Sequence, residues 1–107
     1  MAFDVDEILG DMSDAIESVL AGEWPAVRTC VRKALQDQRD AMDAIARARI
    51  ANEISDEEAT LQLEDEKVAL TAALLACKVK AKVMTQEAAN AAIKVLSGAM
   101  RAALKVI

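Results

Sequence analysis

The 107-residue chain is 54% apolar, but 23 of its residues are alanine; Phe3 and Trp24 are the only aromatics, histidine and tyrosine are absent, and glycine and proline total four. The lack of histidine removes the commonest general base and metal ligand, excluding Ser-His-Asp and Cys-His catalysis and the Glu-x-x-His pairs of di-iron bundles. A net charge of −5 opposes nucleic-acid binding through the overall field, and no basic stripe interleaved with aromatics overrides it.

The length fits one domain, residues 1–107, able to bury roughly 65% of its unfolded surface without staples. Alanine-rich, turn-poor composition indicates an all-α chain of closely spaced helices with short connections. Residues 1–24 hold seven acids and no base, so the negative charge belongs to the N-terminal segment. The acidic start MAFDVDEILG lacks the basic region and apolar run of a signal peptide, and the apolar stretch Val68–Cys77 is about half of a bilayer span. A cytoplasmic location with reduced thiols is the expectation.

The first helix is expected over about residues 4–21. Val5, Ile8, Leu9, Met12, Ala15, Ile16, Val19 and Leu20 repeat at helical spacing and the acids take the other side. Gly22 is positioned to end it, and Pro25 suits the first turn of the next helix. Membrane docking of this amphipathic helix is disfavoured, because its acidic face is repelled by anionic lipid.

The second helix is expected over about 25–52, with a seam of Val27, Val31, Ala34, Gln38, Ala41, Ile45 and Ala48 widened by Leu35 and Met42. A turn at Asn52, Glu53 and Ile54 leads to a third helix over about 55–83. Ser55 and Glu58 form a capping-box signature there, with Ile54 and Ala59 at staple positions. Two helices of about 28 residues, each about 42 Å long, joined by a short loop predict an antiparallel hairpin. Helix 1 is expected to lie across it.

The third helix carries two apolar faces. Leu63, Leu70, Leu74, Cys77 and Ala81 fall on one side, and Leu61, Val68, Ala72, Leu75, Val79 and Val83 on roughly the other. One face suffices to join a bundle, so the second requires another helix, another subunit or a partner to cover it.

The fourth helix is expected over about 85–107, opening at Thr85, with a stripe of Ala88, Ala92, Val95, Ala99, Ala102 and Val106. No glycine or proline enforces a break at Thr85, so three helices with a very long last one is the alternative. The small residues Ala88, Ala91, Ala92, Gly98, Ala99 and Ala102 permit close helix approach, within the chain or between subunits.

Hairpin arithmetic brings Cys30 near Cys77, Gln38 opposite Leu70 and Arg39 near Glu66. The cysteines read as two small apolar residues in one layer, with a redox-sensitive clasp as the alternative, and two thiolates fall short of a zinc site. The polar layer reads as a register device, with a catalytic or ion-binding Glu66 the weaker reading. The acids Glu57, Glu58, Glu64 and Asp65 read as a solvated helix start partly paired with Arg47 and Arg49, not as a cation site.

The reading is an all-α antiparallel helical bundle and a non-enzymatic interaction module. It would be a homodimeric regulator, adaptor or inhibitor that binds a protein partner, itself or another, through an apolar helical face built on Trp24, Leu61, Val68, Leu75 and Val79. No cofactor or metal is expected. The alternative is a carrier or coat protein for lipid or other apolar material.

Overall fold

The computed structural model describes residues 3–106, with side chains as far as Leu104. The chain forms α1 (Val5–Leu20), a 3₁₀ turn (Ala21–Glu23), α2 (Trp24–Asp37), α3 (Arg39–Ile50), α4 (Asp56–Ala76) and α5 (Lys82–Val106), with no strand among the described residues. The C-terminal end expected at residue 107 lies outside them.

Asp4 caps α1 by accepting from the backbone N–H groups of Asp6 and Glu7. The expected stripe faces inward: Val5, Leu9, Met12, Ile16 and Leu20 are buried, and Ile8 and Val19 are half-buried against them. Ala21, not Gly22, takes the positive φ, at 47°, and its N–H closes the helix on the Glu17 carbonyl. The reversal is a single 3₁₀ turn anchored by Leu20, Trp24 and Val27, all buried.

The helix expected over 25–52 is interrupted once, at Gln38. The Gln38 N–H is shared between the carbonyls of Ala34 and Leu35 at 3.3 and 3.2 Å, and the ladder resumes with Met42 N–H donating to the Gln38 carbonyl at 3.0 Å. Beyond it Met42, Ile45 and Ala46 are buried and Ala41 is exposed, whereas the seam predicted Ala41 and Ala48 inside. A seven-residue seam presumes 3.5 residues per turn, and an α-helix of 3.6 drifts away from it. The column ends in a Schellman motif at Asn52 (φ 62°), where Asn52 N–H reaches the Arg49 carbonyl and Glu53 N–H reaches that of Ala48.

The capping box forms as read: Glu58 N–H donates to Ser55 Oγ and Ser55 N–H to Glu58 Oε1, both at 3.1 Å. Ile54 and Ala59 pack in the core beside it. The far end of α4 corrects the expectation. The helix stops at Ala76 rather than Val83, Lys78 enters the left-handed region at φ 67°, and its N–H bonds the Leu75 carbonyl. Val79 then folds inward to 5% exposure, the position at which a Schellman-type ending places an apolar residue against the last turn. The break therefore precedes Thr85 by several residues, and the single long helix does not occur. Thr85 lies inside α5, fully buried, with its hydroxyl donating to the Lys82 carbonyl at 2.6 Å.

α1 packs most extensively on α5, α5 on α4, α4 on the α2–α3 column, and that column on α1. This closed ring is a four-column bundle measuring 40 × 24 × 19 Å. α1 and α4 sit on opposite corners, so α1 does not lie across the α2–α4 hairpin; α5 occupies much of its surface instead. Fully buried Ala88, Ala89 and Ala92 carry nothing beyond Cβ, which lets the helices around α5 approach closely. These alanines belong to the chain's own core, while Gly98 and Ala102 are exposed.

Candidate functional site

The ring of helices leaves one side of α4 uncovered. Leu63, Leu70 and Leu74 are at most 6% exposed and point into the bundle, whereas Leu61, Val68 and Leu75 are 68%, 66% and 42% exposed. Seven residues separate each of the exposed three, so they line up along one stripe with Ala72 between the last two. Among the described residues Val83 of α5 is the remaining large exposed aliphatic, at 64%. Beside the stripe, α4 and α5 border an open groove of about 750 Å³ lined by Val68, Thr71, Ala72 and Leu75 on one wall and Gln86, Glu87 and Asn90 on the other.

Two residues expected on this face lie elsewhere. Trp24 is 6% exposed at the α1–α2 corner, with the Arg32 guanidinium 6.0 Å from its ring centroid. Val79 is buried because α4 has already ended before it. The residues the sequence reading missed are Gln86, Glu87 and Asn90. Their signal was helical spacing from Val83, which is visible only once α5 is known to begin at Lys82.

The polar layer also rearranges. Gln38 Nε2 donates to both the carbonyl and Oε1 of Glu66, each at 3.1 Å, while Gln38 Oε1 is buried without a partner. Arg39 turns away from Glu66 to α1, where Nε and Nη2 grip the two Asp6 oxygens at 2.7 and 3.2 Å. That grip holds the Asp6 carboxyl below its ordinary range. At the hairpin end Arg49 Nε donates to Asp56 Oδ1 at 2.6 Å and lowers Asp56 in the same way, whereas Arg47 pairs with Asp43 on its own helix. Glu66 thus meets the Gln38 amide at the α2–α4 seam, where Arg39 had been expected.

Cys30 and Cys77 are joined in a disulfide, with Cα atoms 5.7 Å apart, which corrects the expectation of two reduced thiols. The hairpin brings the two backbones within bonding distance. Cys30 lies on the exposed side of α2 and Cys77 at the buried end of α4, so the bond fastens the two helices where α4 stops.

Among the described residues no group of three His, Cys, Asp or Glu side chains is placed to hold a metal ion, and no helix is long and apolar enough to cross a membrane. Comparison with protein-family models, with curated proteins and with solved structures returns no match.

Proposed function

We propose that this chain is a non-enzymatic helical interaction module, a regulator, adaptor or inhibitor whose docking surface is the outer face of α4. The observation that carries the reading is the placement of the exposed aliphatics. All four large ones among the described residues lie on α4 or in the first turn of α5, and three form a single stripe beside a groove. Large apolar groups left together in water favour an occupant, and a helical stripe with a flanking groove suits a helix.

A cytoplasmic setting belongs to the same proposal. The Cys30–Cys77 bond weighs against it, since that compartment keeps thiols reduced.

The test is the double substitution Val68→Glu with Leu75→Glu. Both positions are exposed, so helicity by circular dichroism should be unchanged, while association measured by sedimentation equilibrium or pull-down should be lost. A collapse of helicity, or association that survives the change, would show that this face is not the docking surface. Lipid copurifying with the protein and displaced by the same substitutions would replace the reading with that of a carrier for apolar material.

A further inference from the structure

We infer that the Cys30–Cys77 bond is a thiol–disulfide exchange site. An incoming dithiol attacks it at Cys30, and its opening releases the link between α4 and α5, residues 77–81, while the bundle stays folded.

Access is unequal at the two cysteines. Cys30 is exposed on the outer side of α2, whereas Cys77 is 9% exposed, and the pair borders an open groove of about 310 Å³ between α2 and α4. Access helps to decide which sulfur a thiolate attacks, so the approach is to Cys30. Exposed Lys33 on the rim of the groove and exposed Lys78 next to Cys77 favour an arriving thiolate and a departing one. Asp37, 3.8 Å from Lys33, is an acid on the same rim, while the segment 67–86 holds none.

The exchange balances with a dithiol as reductant. Its first thiol gives up a proton and bonds Cys30 Sγ, which breaks the Cys30–Cys77 bond and leaves Cys77 as a thiolate that takes up a proton. The second thiol then displaces Cys30 from this mixed disulfide, closing the reductant's own disulfide and freeing Cys30 as a thiol. Two electrons and two protons pass to the protein. A low-molecular-weight disulfide closes the clasp again by the reverse pair of exchanges and leaves as two thiols.

Little else holds this part of the chain. At the level of the bond α2 and α4 meet through Ala34, Ala69, Ala73 and Ala76, whose side chains end at Cβ. The polar tie of Gln38 to Glu66 lies about 16 Å back along α4. Beyond Cys77 the link is fixed by buried Val79 and by an exposed hydrogen bond from Lys80 N–H to Glu23 Oε1 at 2.9 Å, and it carries the left-handed Lys78. The bundle core, with Met12, Ile16, Leu70 and Leu96 fully buried, lies outside the link. Opening the bond is accordingly a local event.

Dithiothreitol should reduce the full chain at neutral pH without denaturant, at a rate linear in dithiol, and circular dichroism should show helicity retained. Trypsin should then cut after Lys78 and Lys80 about tenfold faster than in the oxidised protein, and oxidised glutathione should restore the slow rate. Cys30→Ala with Cys77→Ala should be cut at the fast rate with or without dithiol. Reduced glutathione, quenched early with acid, should be found bonded to Cys30 in the peptide map.

A bond that yields only in denaturant, or a reduced protein that loses its helicity, makes the bond a structural staple and overturns the inference. A reduced, helical protein cut no faster than the oxidised one overturns the release of the link. Glutathione bonded chiefly to Cys77 overturns the assigned point of attack.

Discussion

At Lys78 the backbone adopts φ 67°, a conformation that puts any Cβ under steric pressure and that glycine adopts freely. Its side chain is exposed and its N–H bond to Leu75 does not depend on residue type. Lys78→Gly should therefore stabilise the fold by about 1 kcal/mol, read as a higher urea midpoint with an unchanged slope. The Asp6 and Asp56 carboxylates act through pH instead. Hydrogen bonds from Arg39 and Arg49 hold both native-state values below the ordinary 3.8, so their contribution is present above that pH and is lost as pH falls below it. A variant with Asp6→Asn and Asp56→Asn should show a flatter loss of stability on acidification below about pH 4 than the parent, checked by thermal melts across the acid range. The Arg39–Asp6 pair was not legible, whereas Arg49 was expected at the acidic start of α4 and meets it through Asp56 rather than through Glu57, Glu58, Glu64 or Asp65. A pairing across the bundle depends on which helices are neighbours, and Arg39 found Asp6 because α1 stands beside the α2–α3 column.

α4 is the element whose two faces carry the functional argument. Both faces were legible from periodicity, since Leu63, Leu70 and Leu74 and Leu61, Val68 and Leu75 each recur at helical spacing. Which one is internal was not, because the two are nearly equal in hydrophobicity and only neighbouring helices distinguish them. The difference is measurable: Leu70→Ala, at a fully buried position, should cost about 3 kcal/mol, whereas Val68→Ala, at a position 66% exposed, should change monomer stability by less than about 0.5 kcal/mol. Equal losses in denaturation experiments would mean that the two faces had been assigned wrongly. The early end of α4 was hidden for a related reason. A non-glycine residue at φ 67° leaves no compositional mark, and Val79 looked like a continuation of the stripe.

Across the molecule, the Cys30–Cys77 bond ties two columns of the bundle and closes a loop with a sequence separation of 47. Constraining the unfolded chain over that span is worth up to about 4 kcal/mol, and Cys30→Ser with Cys77→Ser should lose stability of that order in urea unfolding. Reductant should lower the midpoint of the parent and leave the double variant unmoved. The sequence by itself determined the all-α class, the capped start of α4, the inward stripe of α1 and the levels at which Cys30 meets Cys77. Each of these follows from local chemistry or from counting along a hairpin. Tertiary structure alone decided that α1 pairs with α5, that the chain turns at Lys78, that Trp24 and Val79 are core, and that the stripe through Leu61, Val68 and Leu75 faces out. Those outcomes depend on competition among helices for limited neighbouring surface, and no segment carries that information within its own residues.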